Sequence, residues 1–140
     1  MKNIILQHYD GELGELEKLS VENIKGYAHL LNSDYRLVTG KPFRDWLTRP
    51  CQKVYLLDEE FDKYDNVLML DPDMFVPKNM RIDIFTQRGI GLYVLVQRTL
   101  HRRLVKSHPN LARMDIPYWG GAIYKMDRNT RKKLRMHLGQ

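Results

Sequence analysis

The stretch Asn66-Val67-Leu68-Met69-Leu70-Asp71-Pro72-Asp73 decides the predicted fold. Its four consecutive apolar residues are typical of a short strand that is buried on both faces, as in a parallel sheet covered by helices. Two carboxylates follow the strand immediately. Because ligands bind beyond the carboxyl ends of the strands in open α/β sheets, these carboxylates stand where a ligand is expected.

The two acids, Asp71 and Asp73, flank a proline that favours an extended conformation for the residue before it. Mg²⁺ and Mn²⁺ prefer carboxylate and water oxygens, and they use one or two carboxylates of the protein. We therefore predict that this pair binds Mn²⁺ or Mg²⁺, which would bridge a diphosphate and stabilise its charge as it leaves. The alternative is that both carboxylates merely cap a turn.

The segments before the acidic pair predict a β-α-β-α-β order, which is typical of a parallel, doubly wound sheet. Strands are expected at residues 4–6 and 35–39. Ser20 is expected to cap the first helix, and Pro50 to open the second. The buried face of the first helix is expected to comprise Val21, Ile24, Ala28 and Leu31.

The second half of the chain is less regular. Residues 77–91 are expected to form an irregular crossover, followed by a helix that ends before Pro109. The glycine pair before Ala122 introduces a strand, and Asp127 is expected to cap a last basic helix. The residues expected to face inward are Ile82, Ile84 and Phe85 in the crossover, and Leu134 and Leu138 in the last helix.

The composition is that of one globular domain of 140 residues. No apolar run approaches the roughly 20 residues that cross a bilayer, and the N-terminal apolar stretch is too short for a signal peptide. The single Cys51 excludes an internal disulfide and favours a reducing compartment. We therefore expect a cytoplasmic protein without a membrane span.

Positive charge is concentrated in the last third of the chain. Residues 98–140 carry eleven Lys or Arg and two acids, whereas residues 1–97 carry twelve and fifteen. The ordinary interpretation is solvated helix faces, but such a segment can also attract phosphates. A non-enzymatic nucleic-acid-binding module is therefore an alternative, and its contacts would come from Arg98, Arg102, Arg103 and Lys106.

Several patterns together resemble glycosyltransferases of the GT-A fold, whose nucleotide-binding half ends in an Asp-x-Asp motif. Residues 4–9 resemble the first strand of that fold, and residues 119–122 its glycine-containing strand. The helix of family-34-like galactosyl- and xylosyltransferases is similar at Asn23, Tyr27 and Ala28. Residues 10–16 and 117–124 resemble the glycosyltransferase domains of chlorovirus capsid-glycan synthesis.

The resemblance implies a GT-A-like α/β fold, a mostly parallel sheet flanked by helices and shortened at the C-terminus. Residues 1–76 would form the nucleotide-binding half, and residues 77–140 an incomplete donor-sugar and acceptor half. The implied activity is metal-dependent transfer of a sugar from a UDP-sugar to a glycan or glycoprotein acceptor, in viral capsid glycosylation in the host cytoplasm. Nucleic acid is not an expected partner.

The resemblance also assigns roles to individual residues. Gln7 and Tyr9 would contact the base, or they are ordinary polar residues at a strand end. Lys53 would lie near the donor phosphates, or it pairs with Asp71, or it is an ordinary exposed lysine on a helix. The glycines Gly120 and Gly121 would allow close approach of the backbone to the donor sugar, or they form a bulge.

Three further residues are candidates on the sugar and acceptor side. Asp115 is the candidate base that deprotonates the acceptor in an inverting enzyme. Trp119 would offer an aromatic platform to a sugar, unless it packs in the core. His137 is a candidate third metal ligand, although an exposed histidine on a basic helix is the more common situation.

A phosphohydrolase of the haloacid-dehalogenase type is a second enzymatic alternative, because it also places Asp-x-Asp after an apolar strand. Its motif prefers Thr or Val at the position of Phe75, and it needs a later acidic pair that this chain lacks. Its acidic strand is usually the first in the chain rather than the third. These departures favour the glycosyltransferase.

Overall fold

A mostly parallel four-stranded sheet forms the centre of the computed structural model, which describes residues 1–87, 92–93, 98–110, 114 and 119–139. The order is β2-β1-β3-β6; the first three strands are parallel to one another, and β6 is antiparallel to β3. The predicted parallel sheet is therefore confirmed, with one antiparallel edge strand. The strands are β1 (Asn3–Tyr9), β2 (Asp34–Thr39), β3 (Asn66–Leu70), a separate pair β4 (Leu92–Tyr93) and β5 (Trp119–Gly120), and β6 (Ile123–Asp127).

In the described ranges the sheet is accompanied by three α-helices: α1 (Glu15–Leu30), α2 (Arg98–Ser107) and α3 (Arg128–His137). The helix predicted to begin at Pro50 is a 3₁₀ segment, Arg49–Leu57, with the proline in its first turn. A second 3₁₀ turn, Glu59–Phe61, leads to β3. In the part of the chain that the structure describes, no helix is long and apolar enough to cross a membrane.

The central strands are buried on both faces, because alternate side chains point into two different apolar layers. One layer contains Ile4, Leu6 and Val67 packed with Leu57 and Phe61 of the 3₁₀ segments. The other packs β1 and β3 against α1 through Ile5, Leu68, Leu70, Ile24 and Ala28. The sheet edge where β1 and β3 end is thereby fixed by packing from both sides.

The predicted start of α1 is wrong. The helix begins at Glu15 with Gly14 as its N-cap residue, and acids in its first turn suit the positive end of the helix dipole. Ser20 instead lies inside the helix and is fully buried. The expected apolar face is otherwise present, with Val21 and Ile24 buried.

The predicted inward faces of α3 and of the crossover are partly wrong. Leu134 and Leu138 are 37% and 41% exposed, whereas Arg131 and Arg135 are buried. In the crossover Phe85 is buried as expected, but Ile82 is 54% exposed. Asp127 does cap α3, since its carboxylate accepts from the Thr130 N–H at 2.7 Å.

The two buried arginines dock α3 by binding backbone oxygens. Arg131 donates to the carbonyls of Phe61 (3.0 Å), Tyr64 (2.8 Å) and Met126 (2.8 Å). Arg135 donates to the Leu57 carbonyl at 2.6 Å and to the Asp62 carboxylate at 2.7 Å. The last helix is therefore held to the 3₁₀ segments by guanidinium groups rather than by an apolar stripe.

Replacing Arg131 by Met should destabilise the fold by about 3 kcal/mol, because three carbonyls would each lose one donor while the volume is roughly kept. Urea unfolding monitored by circular dichroism measures the change. Lys133→Met, at an exposed position on the same helix, is the matched control and should remain within about 0.5 kcal/mol of wild type. Equal effects of the two substitutions would contradict the docking role.

The ion pair of Arg135 with Asp62 should make stability fall in acid. The hydrogen bond from Arg135 lowers the pKa of Asp62 below the ordinary 3.8. The stabilisation that this ion pair gives to the fold is therefore fully present above pH 3.8, and it is lost as the pH falls through the lowered pKa of Asp62. Between about pH 6 and about pH 2.5, the free energy of unfolding of Asp62→Asn should fall by up to about 1 kcal/mol less than that of wild type. For the exposed Asp45→Asn it should fall with pH as it does for wild type.

Candidate metal and nucleotide site

The acidic pair lies on a β-turn at the carboxyl end of β3. The Met74 N–H donates to the Asp71 carbonyl at 3.2 Å, which closes a four-residue turn with Pro72 at its second position. Proline is favoured there because its fixed φ matches the turn. The turn places Asp71 and Asp73 at its first and third positions, at the edge of the sheet where a ligand is expected.

A cleft of about 320 Å³ opens beside this turn, next to the carboxyl ends of β1 and β3. The chain runs from β1 to β2 on one side and later adds β3 on the other, so the cleft lies at the topological switch point of the sheet. Among the described residues, four carboxylates and two cationic side chains line it, with a formal charge of −2: Asp10, Glu17, Asp71 and Asp73 against Arg49 and Lys53.

Lys53 connects the acidic turn to the segment between β5 and β6. Its ammonium forms an ion pair with the Asp71 carboxylate and donates to the Gly121 carbonyl at 2.8 Å. The Asp71 N–H in turn donates to the Ala122 carbonyl at 2.9 Å. The structure thus brings together Asp71, Lys53 and Gly121, three residues that the sequence placed in one site.

Sequence reasoning missed three charged residues of the described cleft lining: Asp10, Glu17 and Arg49. Arg49 forms an ion pair with Asp10 at 3.4 Å, and Glu17 lines the cleft from the first turn of α1. Asp10 follows β1 directly, so its position at the carboxyl edge was a signal that could have been used. Arg49 and Glu17 carried no comparable signal.

The two candidate base contacts on β1 have different surroundings. Tyr9 lines the cleft, as does His8, whose Nε2 lies 2.6 Å from the Gly40 carbonyl oxygen. Gln7 is fully buried, and its amide is hydrogen-bonded to Ser20, Tyr35 and the Asp71 carbonyl. The Gln7 amide is thus engaged inside the protein, and its direct contact with a base stays a prediction.

The donor set suits a hard divalent cation that is shared with a substrate. Asp71 and Asp73 line one cleft, and Mg²⁺ or Mn²⁺ commonly binds through one or two carboxylates with phosphate and water oxygens completing the shell. Within the described ranges, no three His, Cys, Asp or Glu side chains are grouped for a metal. The exposed His137 is accordingly not brought to the acidic pair.

The remaining candidates on the acceptor side lie partly outside the described residues. Asp115 is outside them, so its predicted role as a base stays a prediction. Trp119 and Gly120 are described only as the backbone of β5, which pairs with β4.

Comparison with solved structures identifies the architecture. A crystal structure of a glycosyltransferase involved in the glycosylation of the major capsid of PBCV-1 matches 97% of this chain with a TM-score of 0.60. The chain has a glycosyltransferase fold. The predicted fold class is thereby confirmed, and the chain spans 65% of the length of that structure.

The glycosyltransferase fold is shared at low sequence similarity. The two chains are 13% identical, no family model matches the sequence, and no curated protein matches it. At this identity the likeness shows the fold alone. The predicted likeness to family 34 stays a prediction.

Replacing Lys53 by Met should strengthen Mn²⁺ binding in the absence of nucleotide, because the lysine ammonium occupies the Asp71 carboxylate. The expected gain is roughly fivefold, or about 1 kcal/mol for a partly exposed ion pair. Titration calorimetry with MnCl₂ measures it. Lys63→Met, at an exposed lysine outside the cleft, should leave the affinity unchanged. Weaker metal binding by Lys53→Met would contradict the competition.

Proposed function

We propose that the chain is a metal-dependent glycosyltransferase that transfers a sugar from a UDP-sugar to a glycan acceptor. The observation that carries the proposal is the acidic turn: Asp71 and Asp73 face one cleft at the carboxyl edge of a glycosyltransferase fold. The fold supports transferase chemistry as the general class of reaction, and the turn is a reason to expect a metal and a diphosphate.

The charge of the cleft supports a requirement for metal. Its formal charge of −2 repels a diphosphate, which is itself an anion. A divalent cation bound by Asp71 and Asp73 would neutralise the diphosphate and stabilise the charge that develops on UDP as the bond to the sugar breaks. Lys53 and Arg49 add positive charge beside the same carboxylates, where they would contact the phosphate oxygens.

In the proposed transfer, residues on different sides of the cleft have different roles. Tyr9 at the end of β1 would contact the base, and the turn at Gly121 would approach the donor sugar. The bond between the sugar's anomeric carbon and the diphosphate oxygen breaks, and a bond to the acceptor hydroxyl oxygen forms. The hydroxyl proton must then leave, which is the task proposed for Asp115 if the configuration inverts.

The donor proposed is a UDP-hexose or UDP-deoxyhexose, and the acceptor a glycan or glycoprotein. The similar solved structure belongs to an enzyme involved in glycosylating a viral capsid protein. We extend that acceptor class to this chain as part of the proposal, together with a cytoplasmic location.

A nucleic-acid-binding module is the second candidate, because α2 presents Arg102, Arg103 and Lys106 to solvent. Its contacts would be to phosphates and would weaken steeply with salt. The phosphohydrolase alternative is not favoured, since the described architecture matches a glycosyltransferase over 97% of the chain.

Calorimetry of UDP with and without Mn²⁺ tests the proposed site. Wild type should bind UDP with Mn²⁺ and lose most of that affinity with EDTA. Asp73→Asn, which keeps the shape but removes the charge, should bind Mn²⁺–UDP at least roughly tenfold more weakly, because one metal ligand is lost. Exposed Asp45→Asn, outside the cleft, should match wild type.

The outcomes separate the candidates. UDP binding that is independent of metal and unchanged in Asp73→Asn would overturn the role of the acidic turn. Absence of UDP binding, together with salt-sensitive RNA binding that is lost when Arg102 and Arg103 are replaced by Gln, would favour the binding module. Mass spectrometry of acceptors incubated with candidate UDP-sugars would identify the donor.

A further inference from the structure

Two fully buried polar side chains lie directly beneath the acidic turn, Gln7 on β1 and Ser20 on α1. Buried polar groups cost free energy unless they are hydrogen-bonded. Here the Gln7 Nε2 donates to the Ser20 Oγ and to the Asp71 carbonyl, both at 3.0 Å. Its Oε1 accepts from the Tyr35 hydroxyl at 2.9 Å.

The network holds the acidic turn at both ends. Gln7 binds the carbonyl of Asp71, the first residue of the turn, and the Ser20 hydroxyl donates to the carbonyl of Met74, the last residue, at 2.6 Å. Further along α1, Asn23 binds Val76, which lies two residues beyond the turn. The Asn23 side chain accepts from the Val76 N–H at 2.7 Å and donates to the Val76 carbonyl at 3.0 Å.

Stability alone does not account for this network. A buried hydrogen bond contributes only about 1 kcal/mol net, and apolar groups of matching shape are often as stable as a buried polar cluster. The turn, by contrast, carries two carboxylates that repel each other and would favour conformations in which they separate. Fixing both ends of the turn opposes that separation.

We infer that Gln7, Ser20 and Asn23 are positioning residues that fix the acidic turn from beneath, so that Asp71 and Asp73 are preorganised for a divalent cation. The cation belongs to the proposed function, on which this part of the inference rests. The restraint on the turn is a property of the chain without any ligand, and it can be measured separately.

Ser20→Ala is the test variant, and Tyr27→Phe is its matched control. Both residues lie on α1, and each hydroxyl donates to one loop carbonyl at 2.6 Å, Ser20 to Met74 and Tyr27 to Ile82. Of these two contacts, only that of Ser20 with Met74 restrains the acidic turn. Both variants should therefore lose similar stability, while only Ser20→Ala should loosen the turn.

Amide hydrogen exchange of the chain without ligand, followed by NMR, is the first readout. In Ser20→Ala the Met74 amide, which donates to the Asp71 carbonyl, should exchange at least about tenfold faster. In Tyr27→Phe that amide should exchange as in wild type, whereas the Ile84 amide, which donates to the Tyr27 hydroxyl, should exchange faster. Gln7→Met, which lacks the donor to Asp71, should behave like Ser20→Ala.

The affinity for Mn²⁺–UDP is the second readout. Ser20→Ala should bind roughly fivefold to tenfold more weakly, and Tyr27→Phe should bind as wild type does. Unchanged exchange at Met74 in both Ser20→Ala and Gln7→Met would overturn the inference. So would equal losses of affinity in Ser20→Ala and Tyr27→Phe, since these would reflect general destabilisation. Faster exchange at Met74, in a protein whose wild type binds neither Mn²⁺ nor UDP, would support the restraint and refute the proposed function.

Discussion

The parallel pairing of β1 with β3 is the constraint on which the other features of the molecule depend. The register places Gln7 opposite Leu70, so both strands reach their carboxyl ends at the same edge. Asp71 consequently emerges beside the end of β1, and the cleft forms between the two. Since alternate side chains of β1 and β3 pack into two different apolar layers, a shift of either strand by one residue would move every side chain into the other layer, where it would not fit.

Electrostatics is the second organising influence at that edge. Carboxylates from the turn after β3, from α1 and from the loop after β1 line the same cleft, and the two cations among its described lining residues do not balance their charge. Lys53 partly neutralises the negative charge at Asp71 and also donates to the backbone of the β5–β6 turn. The two halves of the predicted domain are thereby connected at the site itself.

The sequence predicted the central strands and the acidic turn because both have local signals, an apolar run and an Asp-Pro-Asp corner. It failed where side chains act over long range. The amphipathic pattern of α3 favoured Leu134 and Leu138, but periodicity cannot recognise an arginine that is buried against carbonyls. Gln7 looked like a polar strand end because its partners lie on α1, on β2 and beyond β3.

Many of the long-range polar contacts end on backbone atoms. Arg131 binds three carbonyls, and polar side chains of α1 bind the main chain of the segment that follows β3. Every amino acid presents the same carbonyl, so the bound segments can exchange their side chains without losing these contacts. Such an architecture tolerates extensive sequence drift in its loops, which is compatible with one fold shared at 13% identity.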